Sequence, residues 1–161
     1  MDDMNDVVVQ DDLSGRCLTF HIEDTIYSLS LAHVIEIISI QRVTHIPGMP
    51  YYIKGIVNLR GKVVPILDVR LKFGQPERPY DDKTCIIIVL IHDMNVGLIV
   101  DRVEDVITLD KDNMAPPPLS ERRIGDSYLG SISTIGEKVI MNIDCEKFFQ
   151  LDMADLYTLE S

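Results

Sequence analysis

Short apolar runs separated by turn residues are the feature that most restricts how this 161-residue chain can fold. Leu18, Phe20 and Ile22 alternate with polar residues, which is typical of a strand with one buried face. The run 84–92 is apolar almost throughout, as expected of a strand buried on both faces. The longest apolar run falls far short of the ~20 residues that span a bilayer, so we expect no membrane insertion.

The same pattern continues along the chain and predicts many short strands with little helix. Ser30 is a favourable N-cap and predicts a short helix over 31–35. Asp68 is expected to cap a second short helix, and Arg60-Gly61 to form the turn of a hairpin. The predicted strands are 18–22, 26–29, 36–40, 54–59, 62–67, 84–92, 96–100, 102–109, 128–135 and 138–143.

Repeated spacings indicate that one unit occurs twice. Cys17 stands as far before Glu36 as Cys85 stands before Glu104. Two glycine pairs, at 55 with 61 and at 130 with 136, also share one spacing. Sheets of such short strands commonly remove their edges by closing into small barrels. We therefore predict an all-β fold of two tandem barrels with short helices, one of them C-terminal.

The predicted organisation is one domain between two short tails. Residues 1–14 are acidic and are expected to form a flexible tail, and 151–161 a C-terminal tail or helix. The domain itself is expected over 15–150. Its barrel subdomains are predicted at approximately 15–80 and 83–145, with exchange of strands between them allowed.

The charge of the chain disfavours polyanionic partners. Its formal net charge is −11, and no run of Lys or Arg offers a basic patch, so we expect no nucleic-acid binding. Cys17, Cys85 and Cys145 stand far apart in apolar runs, which indicates core residues rather than a disulfide framework or metal motif. The protein is expected to be cytoplasmic.

No local motif predicts catalysis or a cofactor. The histidines lack metal-ligand spacing, and there is no G-x-S-x-G elbow, G-x-G-x-x-G or complete Walker motif. A small enzyme whose catalytic groups come from distant segments is one alternative, and a nucleic-acid-binding barrel is another. We expect neither enzymatic activity nor a cofactor.

The segment 53–70 closely resembles a stretch of the CheW-like family, in which a strand ending in Asn-Leu-Arg-Gly is followed by a strand with Pro-Ile and an aspartate. The resemblance extends from about Arg16 to Phe149. It implies two SH3-like barrels packed on a shared core. It also implies a non-enzymatic adaptor in bacterial chemotaxis, bound at membrane-associated receptor arrays. An alternative within the family is another receptor-coupled kinase system, such as one serving surface motility.

The resemblance also implies the partners and the residues that contact them. The partners are the cytoplasmic tip of chemoreceptors, held in an apolar groove between the barrels, and the regulatory domain of the CheA histidine kinase. Glu36 and Arg60 are further expected to pair, with pure support of the fold as the alternative role of the pair. The three valines could equally be plain core residues. The partner-binding positions carried over from the family are Val34, Glu36, Gly55, Arg60, Val103 and Val106.

Overall fold

The computed structural model describes residues 15–117 and 128–160, and the predicted acidic tail 1–14 lies outside them. No helix in this part of the chain is long and apolar enough to cross a membrane. The strands are β1 (Arg16–Ile22), β2 (Thr25–Ser30), β3 (Val34–Ser39), β4 (Ile53–Leu59), β5 (Lys62–Asp68), β6 (Cys85–Ile91), β7 (Met94–Val100), β8 (Arg102–Thr108), β9 (Met114–Ala115), β10 (Leu129–Ile135) and β11 (Lys138–Ile143). The helices are α1 (Val69–Lys72), α2 (Cys145–Phe149) and α3 (Met153–Glu160), with a 3-10 turn at Lys111–Asn113.

The strands form two sheets, which confirms the predicted all-β class with two barrels and short helices. Barrel A contains six strands in the order β8-β1-β2-β11-β10-β9. Barrel B contains five strands in the order β3-β6-β7-β5-β4. Most neighbours are antiparallel, but β2 pairs with β11 and β5 pairs with β7 in parallel. The predicted C-terminal helix is α3.

The predicted duplication is present, but its alignment is shifted by one position. β1 and β6 have the same length, and each pairs with the strand after it in the same register, Ile22 with Thr25 and Ile91 with Met94, so Arg16, rather than Cys17, is equivalent to Cys85. β4 and β10 also have the same length, which makes Ile53 equivalent to Leu129. Every residue of β6 from 86 to 91 is apolar, so its pattern did not distinguish the two alignments.

Each barrel combines strands from both repeats. Barrel A takes β1 and β2 from the first repeat and β8, β10 and β11 from the second, and barrel B takes the complementary set. Each sheet therefore draws on both predicted subdomains, about 15–80 and 83–145. The sequence analysis allowed for such an exchange of strands between the subdomains. The subdomain boundaries themselves stay a prediction.

One large core lies between the barrels, and a smaller one fills barrel B. The shared core receives Leu18 and Phe20 from β1, Ile87 and Val89 from β6, and the aromatic side chains of α2. The smaller core contains the alternate residues of β6 and their neighbours. The members of the smaller core are Val57, Val64, Ile66, Ile86, Ile88 and Ile99. β6 is consequently buried on both faces, as predicted, except at the exposed Leu90.

Two local predictions were wrong. β1 was expected to have one buried face, but Cys17, Thr19 and His21 are buried as well as their apolar neighbours. The second face is covered in part by contacts with β8, where the Thr19 hydroxyl donates to the Asp105 carbonyl at 3.1 Å and His21 Nε2 lies 3.2 Å from Glu104 Oε1. The helix predicted after Ser30 is a turn, in which the Ser30 hydroxyl accepts the backbone N–H of Ala32 at 3.2 Å. β3 begins at Val34 and pairs with β6, so tertiary pairing overrides the capping signal.

The cysteines behave largely as predicted. Cys17 and Cys145 are buried, and Cys85 is half-buried. Burial raises the pKa of the Cys145 thiol to about 12, and the neighbouring carboxylates of Asp144 and Glu146 act in the same direction. Thiolate formation at Cys145 is therefore strongly disfavoured near neutral pH.

Helix α1 carries two buried cations, each with carboxylate partners. Arg70 pairs with Glu23 in the β1–β2 turn and with Asp101, which links β7 to β8; its Nε lies 3.2 Å from Asp101 Oδ1. Lys72 pairs with Asp152, and both side chains are only 2% exposed. The network therefore fastens α1 to segments of both barrels and to the start of α3.

An aromatic cage surrounds the Lys72 ammonium group. Its Nζ lies 5.0 Å from the ring centroid of Tyr52, 4.7 Å from that of Tyr128 and 5.0 Å from that of Phe148. The Tyr52 hydroxyl also donates to Asp152 Oδ1 at 2.6 Å. Cation–π contacts and an ion pair together compensate for removing this charge from water.

We expect Asp152→Asn to lower the free energy of unfolding by about 3–5 kcal/mol, because it leaves the Lys72 charge buried without its counterion. Urea unfolding measures the change. Glu77→Gln is the control, since the Lys54–Glu77 pair is 3.7 Å long and the Glu77 side chain is 75% exposed; its effect should stay below about 0.5 kcal/mol. Equal effects of the two substitutions would contradict the role assigned to the buried pair.

Candidate functional site

The hairpin of β4 and β5 presents Arg60 at its tip. Arg60 and Gly61 both have positive φ angles, 51° and 86°, as in the tight turns that match the twist of paired strands. Asn58 Oδ1 accepts the backbone N–H of Gly61 at 2.9 Å and stabilises the turn. From this position the Arg60 guanidinium reaches β3 and pairs with Glu36.

The Glu36–Arg60 pair joins the two ends of sheet B. β3 and the β4–β5 hairpin lie at opposite ends of the strand order, so contact between them closes the barrel. The Arg60 side chain is 68% exposed and that of Glu36 is 31% exposed. A pair this accessible to solvent contributes about 0–1 kcal/mol, so its main effect is to fix the geometry of the tip.

Gly55 allows a second closing contact in the same barrel. Its φ angle is +140°, and a Cβ at this position would collide with the carbonyl group of Thr44. Thr44 exchanges two backbone hydrogen bonds with Ile56, at 2.8 and 2.9 Å. Gly55 thus permits the close approach that ties the segment after β3 to β4. Its role as a partner contact stays a prediction.

The three predicted valine contacts differ in burial. Val34 at the start of β3 and Val103 in β8 are half-buried and pack against the shared core. Val106, also in β8, is 40% exposed. The alternative that these valines are plain core residues therefore fits the partial burial of Val34 and Val103, but it does not fit the exposed Val106.

The predicted site residues divide between the two barrels. Those of barrel B lie on β3 and on the β4–β5 hairpin, where Glu36 and Arg60 meet. Those of barrel A, Val103 and Val106, lie on β8. β3 and β8 are equivalent strands of the two repeats, and each ends the strand order of its sheet. Four of the six predicted contacts therefore lie on equivalent edge strands, and Gly55 and Arg60 lie on the hairpin.

The ion pair of barrel B has no direct equivalent in barrel A. The alignment of the repeats places Asp105 at the position of Glu36 and Gly136 at that of Arg60. Glycine has no side chain to reach Asp105, and this end of barrel A contains an open cavity of about 470 Å³. The cavity is lined by Thr19, Glu104, Asp105, Ile107, Ile135, Gly136, Glu137, Lys138 and Ile140.

A different set of charges occupies this end of barrel A, and sequence reasoning missed it. Glu104 Oε1 lies 3.2 Å from His21 Nε2 and 3.5 Å from Lys138 Nζ. The His21 imidazole and the Lys138 ammonium hold the pKa of Glu104 below its usual value. The correct alignment of the repeats would have drawn attention to this difference between the barrels. Among the described residues, no group of three or more His, Cys, Asp or Glu side chains is placed to hold a metal ion.

We expect Gly55→Ala to destabilise the fold far more than Gly136→Ala. The first adds a collision with Thr44 to the strain of a positive φ, whereas the second places its methyl group in open space at φ +61°. Backbone strain alone costs about 1–2 kcal/mol, which sets the expected effect at Gly136. Thermal unfolding of both variants measures the difference. A Gly55→Ala protein as stable as Gly136→Ala would contradict the close contact between Gly55 and the Thr44 carbonyl group.

Comparison with known proteins agrees with this geometry. The family model described as "CheW-like domain" matches residues 16–153. The chain is 35% identical over 130 residues to the chemotaxis protein CheW of Klebsiella aerogenes, covering 81% of this chain and 78% of that protein. It is 33% identical to CheW of Bacillus subtilis (strain 168), covering 80% and 83%.

A solved structure extends the comparison to the fold. The crystal structure of the scaffolding protein TtCheW from Thermoanaerobacter tengcongensis matches with a TM-score of 0.75 and 33% sequence identity. The match covers 81% of this chain and 89% of that one. The two-barrel fold, the matched family model and these relatives lead to one conclusion: the chain belongs to the CheW-like family.

Proposed function

We propose that this protein is a non-enzymatic adaptor that couples chemoreceptors to the CheA histidine kinase in bacterial chemotaxis. It would act in the cytoplasm, at the membrane-associated receptor arrays. Its partners would be the cytoplasmic tip of methyl-accepting chemotaxis receptors and the regulatory domain of CheA. The proposal includes no cofactor, nucleic acid or membrane insertion.

The observation that carries this proposal is family membership over most of the chain, with relatives named as chemotaxis and scaffolding proteins. The arrangement of the family's contact positions supports it further. Four of the six, Val34, Glu36, Val103 and Val106, lie on equivalent edge strands, β3 and β8, of two barrels that share one core. A protein with two such edges has room for more than one partner.

The chemistry of the two edges suggests how partners would bind. The side chains of Val34 and Val103 supply apolar area next to the shared core, and Val106 adds an exposed apolar side chain on β8. Glu36 and Arg60 supply a charged rim held in one geometry. An apolar centre with a polar rim is typical of protein interfaces. Interfaces of modest affinity would then add through multivalency in an array.

Two binding assays test the proposal. The first sediments the protein with receptor-tip fragments attached to vesicles. The second mixes it with the CheA regulatory domain and measures complex formation by gel filtration. Binding in both assays is the expected result. A folded sample that binds neither fragment would exclude the adaptor function.

We expect Glu36→Lys to abolish receptor binding while the kinase contact is retained. The substitution reverses the charge at the β3 edge and places a cation next to Arg60. The two assays above measure the separation. Equal loss of both interactions in a folded variant would mean that the receptor and kinase surfaces are not separate.

Arg60→Ala is expected to weaken partner binding and to change the free energy of unfolding by no more than about 1 kcal/mol, because its ion pair is largely exposed. Lys62→Ala is the matched control, since Lys62 is an exposed cation on the same hairpin. Binding should fall for Arg60→Ala and remain for Lys62→Ala. A large loss of stability in Arg60→Ala would instead assign Arg60 to the fold.

A further inference from the structure

The two barrels differ at the tips of their equivalent hairpins. Both β4 with β5 and β10 with β11 are joined by two-residue turns. The first residue of the turn is Arg60 in barrel B and Gly136 in barrel A, and both have positive φ angles, 51° and 61°. A Cβ at Gly136 would meet no atom of the described residues within 4 Å. The hairpin of barrel A therefore leaves open the position at which barrel B places an arginine side chain.

The carboxylate that receives Arg60 in barrel B has a counterpart in barrel A. Glu36 on β3 lies opposite Ile88, a residue of the smaller core inside barrel B. Asp105 on β8 lies opposite Thr19, and the two line the same cavity, so Asp105 faces the inside of barrel A. Asp105 thus stands where Glu36 binds a guanidinium group, but its own hairpin contains no arginine.

Apolar positions that close barrel B line a cavity in barrel A. Three residues of barrel B belong to its smaller core or pack against it: Ile38, Leu59 and Val64. Their equivalents in barrel A line the open cavity of about 470 Å³: Ile107, Ile135 and Ile140. Thr19 stands at the position of Ile88, which removes apolar volume at the same end. A cavity of this size can hold a small molecule or one long side chain.

The charges around this cavity favour a cation. Its described lining residues carry three carboxylates and one ammonium group. The ammonium group of Lys138 lies 3.5 Å from Glu104 Oε1, and His21 Nε2 lies 3.2 Å from the same oxygen. Glu104 therefore already has cationic partners, and the excess negative charge of the lining comes from Asp105 and Glu137. A cation that enters this end of the barrel meets an attractive field.

We propose that the end of barrel A binds a guanidinium group with a short apolar stem, held by Asp105 in the kind of pair that joins Glu36 and Arg60. The planar guanidinium fork matches a carboxylate, and the stem packs along the apolar lining of the cavity. The site lies on the face of β8 opposite to Val103 and Val106, which lie across from shared-core residues of β1. It does not depend on the adaptor function proposed above.

Butylguanidinium is the probe, because it joins the guanidinium group to an apolar stem. Titration of the full-length protein, followed by amide NMR, is expected to give saturable shifts at Thr19 and Asp105. Half-saturation is expected at about 1–10 mM, as for a small ligand held by one charged pair. Butylurea is a neutral isostere and should bind at least about tenfold more weakly, because it lacks the charge. Equal binding of the two compounds would overturn the pair assigned to Asp105.

Two substitutions test the site itself. Asp105→Asn removes the carboxylate charge and is expected to weaken butylguanidinium binding at least about tenfold. Gly136→Arg supplies the guanidinium group from the chain itself, as in barrel B, and should abolish binding of the probe. Glu77→Gln is the control, since it removes a charge that is 75% exposed on another surface, and it should bind within about twofold. Thermal unfolding shows whether each variant is folded; a folded Asp105→Asn protein that binds the probe normally would overturn the inference.

The guanidinium group can come from a free compound or from an arginine side chain of a partner protein. The Gly136→Arg variant distinguishes these sources in the two partner assays described above. Binding to receptor or kinase that falls at least about fivefold would assign the group to that partner, whereas binding within about twofold would assign it to a free compound. Failure of the unchanged protein to bind either partner would refute the adaptor function and leave this site standing, because the probe is measured without partners.

Discussion

Two parallel strand pairings, β2 with β11 and β5 with β7, determine how the rest of this molecule is arranged. Each joins strands from different repeats, so neither repeat can complete a barrel with its own strands. The exchange brings β1 and β6 to the shared core, where Phe20 and Val89 are buried. The two barrels are therefore expected to fold as one cooperative unit, although they come from a duplicated sequence.

Helix α1, only four residues long, holds several segments of the fold together. Its start is capped by Asp68, whose carboxylate also accepts the Tyr80 hydroxyl at 2.7 Å and so holds the 74–83 connection. Arg70 connects to the β1–β2 turn and the β7–β8 link, and Lys72 to the beginning of α3. Burial raises the pKa of Asp68, which shows that this anchoring has an electrostatic cost.

The strands and the hairpin tip were predictable because their signals are local. The alternation of apolar residues predicted the strands, and the Arg60-Gly61 turn predicted the hairpin. The resemblance to the CheW-like family led to the expected Glu36–Arg60 pair. The exchange of strands was not predictable, since nothing near β2 specifies β11 as its neighbour. The error in aligning the repeats has a related cause: β6 is apolar on both faces, so a shift by one position leaves its pattern intact. The register shifts in the β1–β8 and β3–β6 pairings were not predictable either, because they show only in the pairing of strands.

The most direct test of the account is whether this protein bridges its two proposed partners. Receptor-tip fragments on vesicles would be mixed with the CheA regulatory domain, and the amount of kinase domain that sediments would be measured with and without this protein. If the protein couples receptor to kinase, the kinase domain sediments only when the protein is added, and the amount rises with protein concentration to saturation. A kinase domain that stays in the supernatant while the protein itself sediments with the receptors would contradict coupling.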